Sequence, residues 1–313
     1  IEKLKKKSTV NNNLSVLFIG DSHVKTPYMI QNFTSEMQKS FGDGGRFLIG
    51  KNGGFHGMWQ KGGISIQANG KNLISSAKIT FSSTSIDPDF SLSAGNGKTE
   101  IIPVSTKKVK KTEVREFSLL PHSNSFFLKP EGKYNFNFLE SIKIDYPGGG
   151  ISVSSYGIIG ASVIYNATYP YFVRFPELSQ PDLLVVWLGT NDAFFTDFSK
   201  KGFESYFRVL ISKIQEVAPE TEILVVTPPD QFRIERGSYT PNANVQDVCD
   251  VIYSLSDVYN FAVYDLYKVM GGKGSIRTWF NNKLSAGDLI HLSYEGYLLT
   301  GELLSLAMSK LAK

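Results

Sequence analysis

Four short segments of the sequence carry side chains that could act together in nucleophilic catalysis. They are Gly20-Asp21-Ser22-His23, the turn at Gly160, Gly189-Thr190-Asn191-Asp192, and Asp288-Leu289-Ile290-His291. A serine hydroxyl becomes a nucleophile when a neighbouring base takes its proton, and a histidine oriented by an acid is a suitable base. The first and last segments together supply the serine, the histidine and the acid.

The spacing of Asp288 and His291 suits this chemistry. An acid three residues before a histidine can reach back within a turn and accept the imidazole Nδ1–H, which leaves Nε2 free to act as a base for Ser22. Each motif alone has a second interpretation. Asp-x-x-His could be a solvated loop, and Ser22 could merely cap a helix.

A tetrahedral intermediate also needs hydrogen-bond donors aimed at its oxyanion. The available donors are the backbone N–H groups of Ser22 and Gly160 and the side-chain amide of Asn191. His23 is a poor candidate for the base, because adjacent side chains at a turn point apart. We interpret His23 as structural or substrate-facing.

The surrounding elements predict a sheet that brings these segments to one edge. Short apolar runs, typical of buried parallel strands, end at Gly20 and Gly189, and further strands are predicted at 151–155, 222–227 and 261–266. Open α/β sheets bind ligands at the carboxyl ends of their strands. We therefore expect the four segments to converge there.

Apolar residues at helical spacing predict helices between these strands. The α/β alternation indicates a three-layer α/β/α fold, in which helices cover both faces of a parallel sheet. The positions that define the helices are Met29, Phe33, Met37 and Phe41; Phe203, Tyr206, Phe207, Leu210, Ile211, Ile214 and Val217; Val245, Val248, Ile252 and Leu255; and, in a last helix over about 294–311, Leu299, Leu303, Leu306 and Ala307.

The region 44–149 has a different character, with short alternating apolar runs separated by Gly, Ser and Asn. Several short strands with turns between them predict a β-sandwich or jelly roll, inserted into a host domain formed by 1–43 and 150–313. The residues that define these strands are Ile64, Ile66 and Ala68; Ile101, Ile102 and Val104; Val114, Phe117, Leu119 and Leu120; Tyr134, Phe136 and Phe138; and Ile142, Ile144 and Tyr146.

Composition is that of a globular protein and argues against other classes. The 313 residues are 42% hydrophobic and 20% charged, with a net charge of +4. The basic runs at 3–7 and 107–111 predict solvated segments, and no nucleic-acid partner is expected. No stretch approaches the roughly 20 apolar residues of a membrane span, so no integral membrane segment is expected.

Cysteine and histidine usage predicts neither a disulfide nor a metal site. Cys249 is the only cysteine, which excludes an intrachain disulfide and predicts a small core residue. His56 and His122 are predicted at the surface, no metal-ligand cluster is apparent in the sequence, and no cofactor is expected. Because the chain begins at Ile1 rather than Met, we expect that an N-terminal segment was removed or left out, as when an export signal is cleaved.

The order of the four segments resembles that of the SGNH, or GDSL-type, hydrolase family. Gly-Asp-Ser follows the first strand, a glycine turn the second and Gly-x-Asn-Asp the third, and Asp-x-x-His precedes the last helix. The resemblance covers about two thirds of the chain and leaves out the β module. It implies that Ser22 is the nucleophile, that His291 is the base and Asp288 its orienting acid, and that Ser22, Gly160 and Asn191 donate to the oxyanion.

The sequence departs from the family pattern at two places. His23 follows the serine where leucine is commoner, and Ser155 and Tyr156 stand where an asparagine often precedes the second glycine turn. The second departure concerns Gly160, because this glycine is the oxyanion donor expected in that turn. Asp21 and Asp192 match motif positions but are assigned no catalytic role.

Gly-Asp-Ser-His together with a β insertion resembles more narrowly the peptidoglycan O-acetylesterases of Gram-negative bacteria. This resemblance implies a carbohydrate-binding-like inserted module and a periplasmic location. It implies as substrate the 6-O-acetyl group of N-acetylmuramic acid in O-acetylated peptidoglycan.

Other functions remain open at this point. An acetylesterase of another polysaccharide, or a lipase-like or thioesterase-like enzyme, would use the same residues, and a non-catalytic glycan-binding protein is a further alternative. The β module could bind glycan or simply form one wall of the active site. The oligomeric state is not indicated by the sequence.

Overall fold

The structure is a computed structural model that describes residues 13–49, 59–60, 63–68, 73–82, 90–94, 99–100, 103–109, 112–130, 139–164, 170–235 and 237–312. By its internal contacts the chain divides into two compact units. The first contains Ser15–Ser40 and Ser155–Lys313, and the second contains Phe41–Ser154 with residues 13–14.

Strands and helices are numbered along the chain. Among the described residues the strands are β1 (Asn13–Gly20), β2 (Asp43–Ile49), β3 (Trp59–Gln60), β4 (Gly63–Gln67), β5 (Ile74–Ser82), β6 (Phe90–Ala94), β7 (Thr99–Glu100), β8 (Ser105–Val109), β9 (Thr112–Ser123), β10 (Ser125–Pro130), β11 (Leu139–Asp145), β12 (Gly150–Gly157), β13 (Leu183–Trp187), β14 (Glu222–Val226), β15 (Phe232–Glu235), β16 (Ser238–Pro241) and β17 (Ala262–Tyr264). The helices are α1 (Ser22–Lys25), α2 (Pro27–Phe41), α3 (Pro170–Ser179), α4 (Thr190–Phe194), α5 (Lys200–Val217), α6 (Asn244–Tyr259), α7 (Leu266–Met270), α8 (Ser275–Asn281) and α9 (Tyr294–Ala312).

The first unit is built on a parallel sheet, which confirms the predicted α/β class. Its strands lie in the order β17-β14-β13-β1, and these four strands pair in parallel. All five residues of β13 are buried. Because successive side chains of a strand point to opposite faces, both faces of the sheet are covered. The register pairs Gly20 with Trp187, and Trp187 with Val226, so the ends of β1, β13 and β14 are level at one edge.

The predicted helices are present, and one position of α5 that the prediction placed inside is exposed. Helix α5 packs against α3 and α6, and its buried residues are Phe203, Phe207, Leu210, Ile211 and Ile214. Tyr206, predicted on this buried face, is 39% exposed. Cys249 on α6 is buried, as predicted.

The predicted packing face of α9 is wrong. Leu306 is 48% exposed, whereas the unpredicted Leu304 and Met308 are buried. The reason is a close approach between helices: a Cβ at Gly301 would lie 2.6 Å from the backbone oxygen of Met29 on α2. A glycine there lets the two backbones meet, and this contact turns the leucine stripe partly away from the core.

Two further predictions for the first unit need correction. The last strand, predicted at 261–266, is only β17, because Asp265 accepts the Lys268 N–H and caps α7. The hairpin of β15 and β16 and helices α3 and α8 were not predicted. None of the described helices is long and apolar enough to cross a membrane.

The second unit contains strands of two sheets that share one core, which agrees with the predicted β-sandwich. One set lies in the order β2-β11-β5-β9-β8 and the other in the order β3-β4-β10-β6-β7. Side chains from both sets meet in a single cluster, among them Ile66 and Phe126 from one set and Ile79 and Ile142 from the other. No helix occurs among the described residues of Phe41–Ser154 apart from the last residue of α2.

Some predictions fall on residues outside the described part of the chain. These are the basic run at 3–7, the residues Lys110 and Lys111 of the second basic run, and His56, Ile101, Ile102, Tyr134, Phe136 and Phe138. His122 lies in β9, and its side chain is outside the part of the chain that the structure describes.

Candidate active site

Ser22 lies at the junction of the central strand and a short helix. Strand β1 ends at Gly20, and α1 begins at Ser22. The intervening Asp21 caps this helix, since its Oδ1 accepts the His23 N–H at 2.9 Å. The Thr26 hydroxyl donates to the Ser22 carbonyl at 3.0 Å. The turn therefore holds Ser22 half-buried at the carboxyl edge of the sheet.

Ser22 and His291 are brought together from opposite ends of the chain. Ser22 Oγ lies 2.9 Å from His291 Nε2, and His291 Nδ1 lies 2.7 Å from Asp288 Oδ2. The three side chains form a continuous hydrogen-bonded chain within the reach that nucleophilic catalysis requires.

The loop that carries Asp288 and His291 is held by its own backbone. Asp288 Oδ1 accepts the N–H groups of Ile290 and His291, both at 2.9 Å. Leu289, which lies between Asp288 and Ile290, has a φ of 54°, a conformation that costs a non-glycine residue energy, and its side chain is buried. The loop thus stores strain while it aims His291 at Ser22.

Asp288 has an environment that keeps it ionised. Partial burial raises the pKa of its carboxyl, but the hydrogen bonds from the His291 ring and from the N–H groups of His291 and Ile290 outweigh this effect. The pKa therefore lies below its usual range. An ionised Asp288 can hold His291 with a proton on Nδ1 and a free Nε2.

Gly160 and Asn191 come together at the turn after β12. Gly160 has a φ of 75°, and the space where a Cβ would sit has no atom within 4 Å. Asn191 Nδ2 donates to the carbonyl of the adjacent Ala161 at 2.7 Å. An amide nitrogen carries two hydrogens, so this bond leaves one for a ligand. The Gly20–Trp187 register places Asn191 and Ser22 at the same edge, and the Ile158 N–H, which donates to the Gly20 carbonyl at 3.0 Å, brings the Gly160 turn to that edge.

Asp192 binds the backbone of the segment after Gly160, a structural role that its motif position did not indicate. It is buried, and its two carboxylate oxygens accept the Val163 N–H at 3.0 and 2.9 Å. Burial raises the pKa of Asp192 to about 6 even though these backbone bonds work in the opposite direction. Asp21 behaves similarly, since complete burial raises its pKa to about 7.

His23 is buried in the interior, which favours the first of its two interpretations, a structural residue. Its ring is fully buried and stacks on Trp187 with centroids 5.1 Å apart. His23 Nδ1 lies 3.0 Å from the Tyr297 hydroxyl, and its ring centroid is 5.3 Å from that of His291. Burial, with the nearby His291 charge as a second cause, lowers the pKa of His23 to about 3. His23 is therefore neutral at physiological pH.

Sequence reasoning did not find Trp187 and Tyr297, which enclose His23. Trp187 is the last residue of a buried strand, and Tyr297 lies one helical turn into α9. The sequence position of Tyr297, six residues after His291, does not indicate a contact with His23. That contact becomes evident only when α9 is placed beside α1. Among the residues that the structure describes, no group of three or more His, Cys, Asp and Glu is arranged to hold a metal ion.

Comparison with known proteins identifies the class. The model of the GDSL-like lipase/acylhydrolase family matches residues 145–299. These residues are therefore similar to a GDSL-like lipase/acylhydrolase domain. The match includes Gly160, Asn191, Asp288 and His291 but not Ser22, which the structure supplies from β1 and α1. No curated protein sequence matches the chain.

Among solved structures, one described as a peptidoglycan O-acetylesterase is similar over 99% of this chain and 95% of its own, with a TM-score of 0.75 and 20% identity. It shares the SGNH-like fold of this protein. A lipase/acylhydrolase from Enterococcus faecalis matches 51% of this chain and 76% of its own, with a TM-score of 0.38 and 22% identity. An acetyl xylan esterase matches 51% and 81%, with a TM-score of 0.39 and 20% identity.

Proposed function

We propose that this protein is a serine esterase in which Ser22 is the nucleophile, His291 the general base and Asp288 the acid that orients it. The observation that carries the proposal is the hydrogen-bonded chain from Ser22 Oγ through the His291 ring to Asp288, with contacts of 2.9 and 2.7 Å. Serine esterases use this order of groups because the histidine must both take and return a proton.

The reaction proceeds in two halves. His291 Nε2 takes the Ser22 proton as Oγ attacks the acyl carbonyl carbon. The resulting oxyanion accepts hydrogen bonds from the N–H groups of Ser22 and Gly160 and from the Asn191 amide. The C–O bond to the alcohol then breaks, and the alcohol oxygen takes the proton from His291. In the second half His291 activates water, which attacks the acyl-serine and releases the carboxylic acid and free Ser22.

The substrate we propose is O-acetylated peptidoglycan, deacetylated at the 6-O-acetyl group of N-acetylmuramic acid. The similar structure described as a peptidoglycan O-acetylesterase supports this choice, because the likeness extends over 99% of this chain. Peptidoglycan lies outside the cytoplasmic membrane, so the proposal places the protein in the periplasm. No cofactor takes part in the proposed reaction.

We further propose that 44–149 is an inserted module that binds glycan. Its described strands form a sandwich with one shared core, an architecture that can present a ligand surface independently of the catalytic residues. Insoluble peptidoglycan should pull down the full chain, and charged substitutions at Leu73 and Val104, which are 42% and 67% exposed on the module, should weaken the binding. Unchanged binding by such variants would overturn the proposed glycan-binding role of the module.

The test is acetate release from O-acetylated peptidoglycan, measured beside acetylated xylan and beside p-nitrophenyl acetate and butyrate. We expect peptidoglycan to be the preferred polymer, acetyl to be preferred over butyryl, and Ser22→Ala to be inactive on all four substrates while keeping the wild-type circular dichroism spectrum. Activity in folded Ser22→Ala would overturn the assignment of the nucleophile. A preference for xylan or for butyrate would overturn the proposed substrate but keep the esterase.

A further inference from the structure

Two exposed tyrosines meet on the segments that carry Ser22 and His291. The rings of Tyr28 and Tyr294 are in edge-to-face contact, with centroids 4.9 Å apart and planes at 83°. Their side chains are 41% and 53% exposed. A tyrosine combines an apolar ring with a hydroxyl that prefers water, so an exposed pair presents an amphipathic surface.

The pair belongs to the same two segments as the reactive groups. Tyr28 is the second residue of α2 and lies six residues after Ser22, while Tyr294 opens α9 three residues after His291. Three contacts between these segments follow one another from the interior to the surface. His23 and Tyr297 meet in the buried interior, Ser22 and His291 meet where both are half-buried, and the tyrosine pair meets at the surface.

Helix packing does not require this exposed contact. Asn32 Nδ2 donates to the Leu298 carbonyl at 2.7 Å, and the Gly301 backbone lies against Met29. These contacts already join α2 to α9 in the interior. The tyrosine pair is therefore an exposed aromatic surface that is not needed to join the two helices. Such a surface is available to a ligand bound at the active site.

Exposed apolar side chains also stand next to the other site segments. Ile159, which precedes Gly160, is 76% exposed, and Phe194 at the end of α4 is exposed as well. The carboxyl edge of the sheet therefore carries exposed apolar groups beside each segment of the site. Such a surface suits a ligand with apolar faces and polar edges, which describes a pyranose ring.

We propose that Tyr28 and Tyr294 form a stacking platform for the sugar ring that bears, or adjoins the ring bearing, the acetyl group. The C–H face of the pyranose lies against the aromatic surface, and its hydroxyl groups remain in water or bond to the tyrosine hydroxyls. The platform holds the acetyl group over Ser22. This inference rests on the proposed esterase function and names a binding subsite for its glycan substrate.

The test measures how glycan fragments compete with a small ester. Short de-O-acetylated peptidoglycan fragments inhibit the hydrolysis of p-nitrophenyl acetate by occupying the site, so their inhibition constant reports glycan binding without requiring glycan deacetylation. We expect Tyr28→Ala and Tyr294→Ala each to raise this constant about tenfold. Tyr28→Phe and Tyr294→Phe, which keep the rings, should stay within about twofold of the wild type.

Tyr206→Ala is the matched control, because it removes an equally exposed tyrosine from α5. Its inhibition constant should equal that of the wild type. The platform is overturned if the fragments do not inhibit the wild type, if both alanine variants bind them as tightly as the wild type, or if Tyr206→Ala weakens binding to the same extent. Acetate release from O-acetylated peptidoglycan is measured separately. Failure of the proposed substrate is therefore distinguished from failure of the proposed platform.

Discussion

Asp192 holds the segment after Gly160 by accepting the Val163 N–H with both carboxylate oxygens, at 3.0 and 2.9 Å. The adjacent Asn191 bonds to the Ala161 carbonyl in the same segment. Two neighbouring side chains on α4 thus tie the glycine turn to the end of β13. Under the proposed assignment of Gly160 and Asn191 as oxyanion donors, this contact makes Asp192 a residue that positions a donor without touching the substrate.

Replacing Asp192 with Asn should lower kcat more than it raises KM. An amide has one accepting oxygen and is neutral, so the Val163 N–H keeps a weaker bond and the Gly160 turn is held less firmly. We expect a fall in kcat on the order of tenfold with p-nitrophenyl acetate. Asp197→Asn, the same change at an exposed position of the following loop, should have no effect. A rise in KM alone would contradict this positioning role.

Replacing Asp288 with Asn should abolish most turnover while the fold is retained. The amide can donate to Nδ1, which would place the imidazole proton on Nε2 and leave no base facing Ser22. We expect kcat to fall by roughly 10²- to 10⁴-fold. Circular dichroism and urea unfolding check the fold, and the exposed Asp257→Asn serves as control. A variant with more than half of wild-type kcat would show that His291 does not need this acid.

Asn191 can be tested as an oxyanion donor by substitution with Ala. Loss of one such donor costs about 10²- to 10³-fold in kcat, since the interaction is made in the transition state, and KM should change little. The bond to the Ala161 carbonyl is lost as well, so unfolding in urea is compared with that of the wild type. A change in KM without a change in kcat would remove Asn191 from the oxyanion hole.

The predictable parts of the site are those whose signal is local in sequence. A run of apolar residues ending at Gly189 predicts a buried strand and a turn wherever the strand lies in the sheet, and Asp288 can reach His291 within one turn. The sheet edge then follows from the general rule for open α/β folds. Sequence reasoning could therefore propose Ser22 and His291 as partners although 269 residues separate them.

Features that depend on distant backbone were not predictable. The leucine stripe of α9 has helical spacing, yet the close approach at Gly301 selects a different face. Likewise, His23 becomes buried only because Trp187 from β13 and Tyr297 from α9 enclose it. Both outcomes are set by packing between elements, which single-sequence periodicity does not contain.

The corrected face of α9 leads to a stability prediction with an internal control. Leu304 is buried and Leu306 is largely exposed on the same helix. Leu304→Ala should lower the free energy of unfolding by about 2–5 kcal/mol, because it leaves a cavity in a packed core. Leu306→Ala should change it by less than about 1 kcal/mol. Urea unfolding measures both variants. Equal losses of unfolding free energy would show that Leu306 packs in the core, as the sequence predicted.

The neutral, buried His23 predicts a pH-dependent contribution to stability. Burial holds its folded-state pKa at about 3, compared with an ordinary value of 6.5. Between these values the unfolded chain binds a proton at His23 and the folded protein does not. Stability from this group is therefore fully present above pH 6.5 and is lost as pH falls through the window, with a limiting slope of about 1.4 kcal/mol per pH unit.

His23→Gln removes this titration while keeping a group that can bond to the Tyr297 hydroxyl. The variant is compared with the wild type by urea unfolding at pH 7.5 and pH 5.0, so that titrations common to both proteins, including those of Asp21 and Asp192, cancel in the difference. We expect the stability of the wild type relative to the variant to fall by about 2 kcal/mol between these two conditions. The same difference at both pH values would mean that His23 takes up a proton in the folded protein, and it would contradict the buried, neutral imidazole beside His291.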